Sequence, residues 1–291
     1  MTTSIVPAII VHGGAGGVVV GHEANALAAC ARAAAAGLDV LQAGGPALDA
    51  VQAAVRVLED EPEFNAGVGS ALTRDGTVEL DAAIMDGATR RAGAVAAVPN
   101  LRQPIDLARL VLDDGEHILL CGDGAWAFAR ERGIAPVAPE ALVTERARQR
   151  LRDRHKERGG GTVGACAVDA AGRCAAATST GGMTGKRPGR IGDTPLPGCG
   201  TYADEAGACS ATGSGEYIIR ATLGRFVVDR LRGDLPAHDA AVSAVWELAS
   251  IGGDGGVICV DRRGRIGHAR NTPAMPVAWA TLAEPKPKAE L

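Results

Sequence analysis

A threonine can serve as both nucleophile and base in amide hydrolysis only when it begins a chain, because its own α-amine then takes the hydroxyl proton. That amine has a reference pKa of about 8, so a usable fraction is neutral near pH 7. The run Gly161-Thr162-Val163-Gly164 has what such a threonine needs. A triple glycine, Gly159 to Gly161, supplies backbone freedom on one side, and a strand-like segment fixes Thr162 on the other. Attack of Thr162 Oγ1 on the Gly161 carbonyl, an N-to-O acyl shift and ester hydrolysis would cut between Gly161 and Thr162 and expose Thr162 as a new N-terminus. On residue types alone, an ordinary strand start fits these positions as well.

Other chemistries are less well served. HGGAGG follows a strand, but a phosphate loop of the form GxGxxG would need its third glycine at Val19. The six histidines include no HxH or HxxxH pair, which disfavours a metal hydrolase, and His12 is not a candidate base. Seven scattered cysteines without a CxxC pair read as small buried hydrophobes in a reducing compartment.

The elements that must position Thr162 follow from periodicity and turn residues. Residues 5–11 (IVPAIIV) read as a buried strand, followed by helices from about Glu23 to Ala35 and, after Pro46, from Ala47 to Glu59. ALTRDGTVELDAAIMDG and AGAVAAVPN read as strands punctuated by Asp75-Gly76 and Asp86-Gly87. A helix over Pro104 to Leu112, a strand in HILLCGD and a helix in AWAFARERG complete the first half. Residues 136–161 are strongly charged and read as a flexible linker, or over 141–157 as a solvated helix, with Gly159 to Gly161 mobile and exposed.

Beyond it, GTVGACAVD and RCAAATSTGG form a hairpin turning at Ala170 to Gly172. Helices over Glu216 to Leu231 and Ala237 to Ala249, a hairpin in GGVICVDRRGRIGHAR turning at Arg262 to Gly264, and a strand in PVAWA close the chain. Helices before and after hairpin-rich segments imply antiparallel sheets covered by helices, an α+β sandwich.

At 291 residues, 46% apolar and a net charge of −4 with mixed signs, the chain has no footprint for nucleic acid or an anionic membrane, so small molecules are the expected partners. The opening residues lack a basic segment, and no uninterrupted apolar window of bilayer length is apparent. A cytoplasmic location is expected.

The stretch GTVGACAVDAAGRCAAATSTGGMTGKRPGRIGDTPLPGCGTYAD closely resembles the β-subunit start of plant-type L-asparaginases and isoaspartyl peptidases, members of the N-terminal nucleophile hydrolases. IIVHGGAGG, FNAGVGSALTRDGTVELDAAIMDG and LLCGDGA resemble the α-subunit segments of that family in their usual order. The resemblance covers nearly all of the chain outside the linker. It implies a four-layer αββα sandwich, one domain matured into an α subunit (1–161) and a β subunit (162–291), and a homodimer of cleaved units. It also implies hydrolysis of L-asparagine and β-aspartyl dipeptides.

By the same resemblance Thr162 is the nucleophile, Thr180 a hydroxyl beside it, and Thr212 with Gly213 the oxyanion-hole pair. Arg190 and Asp193 are expected at the carboxylate and ammonium ends of a bound amino acid, an assignment that suits a guanidinium fork and an anionic acceptor. Gly215 and Asn65 are expected beside the substrate. No catalytic cofactor is implied, although a structural sodium ion on backbone carbonyls of the loop from Leu58 to Phe64 is. Two features depart from the family pattern: YADEAGACSATG is about one residue short, and Ala211 stands before Thr212 where a cysteine is common. Alternative readings are a glycosylasparaginase, a threonine aspartase and an uncleaved amino-acid-binding protein.

Overall fold

The computed structural model describes residues 5–16, 21–153 and 161–291. Strand β1 (Ala8–His12) leads into helices α1 (Glu23–Gln42) and α2 (Ala47–Glu59). Strands β2 (Leu80–Asp86) and β3 (Ala92–Val98) form the expected hairpin, followed by α3 (Pro104–Asp114), β4 (Leu119–Cys121), α4 (Gly122–Glu131) and α5 (Glu145–Arg152). After Thr162 come the hairpins β5 (Val163–Val168) with β6 (Cys174–Thr180) and β7 (Thr201–Asp204) with β8 (Gly207–Gly213). Helices α6 (Gly215–Ala221), α7 (Leu223–Arg232) and α8 (Ala237–Ser250) precede β9 (Gly255–Asp261), β10 (Ile266–Arg270), β11 (Val277–Thr281) and β12 (Lys288–Glu290).

One sheet has eight strands in the order β12-β11-β1-β5-β6-β2-β3-β4 and the other four, β10-β9-β8-β7. Alternation along the strands sorts the core. Ile9, Val11, Val163, Ala165 and Ala177 face α1 to α3, whereas Ile10, Cys166 and Ala176 face Ala208 and Ile258 of the second sheet, whose other face, with Cys209 and Cys259, is covered by α7 and α8. Both faces of β5 and β6 are therefore buried, and their side chains are small enough for the sheets to approach closely. The result is the four-layer αββα sandwich.

Several local expectations change. The larger sheet is not wholly antiparallel, since β3 and β4 run parallel. Helix α1 continues to Gln42 and is, among the described residues, long and apolar enough to cross a membrane by length and composition. Its face from Ala26 to Leu41 packs instead into the core shared with α2. The helix expected from Glu216 to Leu231 breaks at Thr222, whose φ of 45° and ψ of 49° end α6 and begin α7.

The charged run resolves in favour of a helix over Glu145–Arg152, capped by Thr144 Oγ1 accepting from Ala147 N at 3.1 Å. It is not detached, because Leu142 is fully buried and Leu151 packs on the core. Of the triple glycine, Gly159 and Gly160 lie outside the described residues, and Gly161 is half-buried rather than exposed.

Candidate active site

Strands β5 and β6 pair antiparallel with Val163 opposite Ser179, so Thr162 and Thr180, one position further along, fall on the same inward face. Thr162 Oγ1 donates to Thr180 Oγ1 at 3.1 Å, and Gly182 N donates to the same Thr180 oxygen at 2.9 Å. Both threonines are buried, at 7% and 3% exposure, where a hydroxyl without partners would be costly. They line a cleft together with Gly182, Met183, Arg190, Gly192, Asp193 and Gly213.

Gly14 packs closely on the Gly161–Thr162 peptide. Its φ is 103°, and a methyl group there would lie 2.5 Å from Gly161 Cα and 2.8 Å from Thr162 N. Only glycine fits that conformation and that approach.

Arg190 and Asp193 converge on Gly215, where a methyl group would meet Arg190 Nη2 at 2.8 Å and Asp193 Oδ1 at 2.7 Å. Glu216 takes the Nε and Nη2 edge of Arg190 at 3.0 and 2.9 Å, leaving Nη1 toward Gly182 and Gly192. The full guanidinium fork expected for a substrate carboxylate is thus shared with Glu216. Asp193 Oδ2 is buried without a hydrogen-bond partner. Burial pushes this carboxyl up to about 7, although Arg190 pulls in the opposite direction. A partnerless buried carboxylate at a cleft is the group a ligand ammonium would satisfy.

Residues 5–287 match the asparaginase family model. The chain is 47% identical to the isoaspartyl peptidase/L-asparaginase of Xenopus laevis, covering 96% of this chain and 93% of that protein. It is 43% identical to the isoaspartyl peptidase of Escherichia coli K12, over 93% and 92%, and 41% identical to the human isoaspartyl peptidase/L-asparaginase, over 96% and 94%. The chain belongs to the asparaginase family.

Within this asparaginase-family site, Asn65 stands behind the cleft, and Thr212 is buried beside its Gly213 end. Asn65 Nδ2 donates to Gly182 O at 2.6 Å and its Oδ1 accepts from Ala71 N at 2.6 Å, so its amide braces the cleft wall instead of presenting itself to substrate. Thr212 is fully buried, and its Oγ1 accepts from Ala15 N at 3.0 Å, which leaves its own proton to donate elsewhere. Gly213, with φ at 139°, has no room for a side chain beside Gly255.

Sequence reasoning missed Gly182, Met183, Gly192 and Glu216. Gly182 and Met183 come two and three residues after Thr180 and Gly192 lies between Arg190 and Asp193, so adjacency was the available signal. Lys186 was missed too. It is buried, donates to Glu79 O at 2.8 Å, and lies where a methyl on Gly182 would be 3.1 Å from its Nζ. Burial lowers its pKa, with Asp81 opposing that effect.

His12 is no base: it is buried, absent from the cleft lining, and burial pushes it down to about 3 despite the neighbouring Thr162 backbone. Among the described residues no cluster of His, Cys, Asp and Glu could hold a metal. Backbone carbonyls do crowd the expected loop, since a methyl on Gly69 would lie 2.7 Å from Pro62 O and 2.9 Å from Phe64 O.

Proposed function

We propose that this chain cleaves itself between Gly161 and Thr162 and then hydrolyses the side-chain amide of L-asparagine and the β-linked peptide bond of isoaspartyl dipeptides. The observation that carries the reading is the Thr162–Thr180 hydroxyl pair at one end of a cleft, with an unpartnered Asp193 carboxylate and Arg190 along its wall. Residues 1–161 and 162–291 become the two subunits, and family resemblance supports their pairing into a homodimer of cleaved units.

Once free, the Thr162 amine accepts the Oγ1 proton as Oγ1 bonds to the substrate carbonyl carbon. Thr180, itself oriented by Gly182 N, holds the attacking hydroxyl in place. Gly213 N–H and the spare Thr212 proton stabilise the oxyanion, a task in which each donor is worth on the order of 100- to 1000-fold in rate. The tetrahedral adduct expels ammonia or an amino acid, which takes the proton from the amine. Water then cleaves the aspartyl ester and regenerates Thr162. Arg190 Nη1 and Asp193 select a free α-carboxyl, α-amino end, which both substrates share.

The carbonyls gathered around Gly69 suit a hard monovalent cation, and sodium held there would brace the loop leading into Asn65 without entering the chemistry. The primary test is the intact mass of denatured wild type and Thr162→Ala over days. Two fragments meeting at Gly161 and Thr162 in wild type only, together with aspartate release from both substrates, support the proposal. A persistent single chain that binds aspartate would instead identify an uncleaved binding protein.

A further inference from the structure

One row beneath the nucleophile, a polar lock joins the two sheets. In the eight-stranded sheet, His12, Gly164 and Thr178 are direct neighbours across β1, β5 and β6. Gly164 leaves a notch between the two polar side chains, and any methyl group there would overlap Ser210 Oγ, which enters from β8 of the other sheet. Ser210 Oγ lies 2.9 Å from His12 Nε2 and 2.8 Å from Thr178 Oγ1. All three side chains are fully buried.

The donor count gives the lock a direction. Thr178 gives its one proton to Gly200 O at 3.3 Å, so Ser210 donates to Thr178 and His12 Nε2–H donates to Ser210. A ring held neutral by burial suits that arrangement.

The placement relates this lock to catalysis. Each member of the lock on β5, β6 and β8 lies two residues, hence one step on the same strand face, from a proposed catalytic group: Gly164 from Thr162, Thr178 from Thr180, and Ser210 from Thr212. The nucleophile and its neighbour belong to one sheet, whereas the oxyanion donors belong to the other. Their separation is therefore a sheet-to-sheet distance, and apolar packing of alanines and cysteines is non-directional and does not fix it by itself.

We infer that Ser210, seated in the Gly164 notch between His12 and Thr178, is a positioning residue that sets the distance from Thr162 to the Thr212–Gly213 oxyanion hole. The inference rests on the proposed role of Thr162. Because Arg190 and Asp193 sit outside the lock, it acts on the chemical steps more than on substrate capture. A displacement near 1 Å at reacting atoms costs on the order of 100-fold.

The test compares Ser210→Ala, Thr178→Val and Thr178→Ser with wild type, with rates counted per folded molecule by near-UV circular dichroism. Self-cleavage and kcat are expected to fall at least about tenfold in Ser210→Ala and Thr178→Val, with KM in Ser210→Ala within about twofold of wild type. Thr178→Ser, which keeps the hydroxyl, is expected to stay near wild-type rates. Wild-type kcat in Ser210→Ala, or an equal loss in Thr178→Ser and Thr178→Val, overturns the inference. Thr162→Ala runs alongside: cleavage or turnover by that variant would refute the nucleophile itself, independently of how the lock variants behave.

Discussion

The unpartnered carboxyl of Asp193 makes the pH dependence of substrate capture a sharp test of the site. A pKa of about 7 in place of 3.8 means that the ionised form costs about 4 kcal/mol more in the folded cleft than in water. Capturing an ammonium requires the ionised form, so the competent fraction of free enzyme is about a half at pH 7, a tenth at pH 6 and a hundredth at pH 5. The Thr162 amine, with its reference pKa of about 8, must also lose a proton, and it does so in both free and bound enzyme. Below pH 7, log kcat/KM therefore rises with a slope near two.

Log kcat rises with a slope near one, because in the complex the substrate ammonium already holds Asp193 ionised. The assay is aspartate release from L-asparagine between pH 5 and pH 9 at constant ionic strength. Asp193→Asn is expected to lose most of its kcat/KM and to show a slope near one in both profiles. If Asp193→Asn keeps the wild-type slope in kcat/KM, then Asp193 is not the ammonium acceptor, and the reasoning from its missing partner fails.

Three further outcomes follow from the same geometry. Gly14→Ala should fold poorly or remain one chain in intact-mass measurements, because the added carbon meets Gly161 and Thr162 backbone that cannot rotate away; normal cleavage would show that the tight approach is unnecessary. Glu216→Ala should raise KM about 2- to 5-fold with little change in kcat, the scale of an ion pair whose carboxylate is exposed and whose role is to orient Arg190; an unchanged KM would remove Glu216 from substrate orientation. On an uncleaved Thr162→Ala background, the urea midpoints of His12→Gln and Asp193→Asn should diverge from the parent in opposite senses with pH. Burial lowers His12 from 6.5, so its contribution is present above about pH 6.5 and lost as pH falls toward 3, whereas raised Asp193 loses its contribution as pH rises from about 4 through 7.

What the sequence could reveal tracks how local each determinant is. The β5–β6 hairpin is legible because its turn is self-contained: Asp169 Oδ1 accepts from Ala171 N and Arg173 N, and β-branched and small residues flank it. The β7–β8 hairpin escapes notice because GACSATG is buried on both faces and shows no alternation, although Asp204 Oδ1 caps its turn by accepting from Ala206 N. The break at Thr222 is equally silent, since a β-branched residue at positive φ runs against local preference and is imposed by tertiary packing. The candidate site shows the same division. Thr162, Thr180, Arg190 and Asp193 lie within one continuous motif that resemblance can carry, and the structure brings all four to one cleft. Thr212 and Asn65 lie in motifs as well, yet their side chains are committed to Ala15, Gly182 and Ala71, pairings that no spacing encodes. His12 is the extreme case. Its partner Ser210 is 198 residues away in sequence and on another sheet, so a histidine that appears idle in the sequence occupies the row directly beneath the nucleophile.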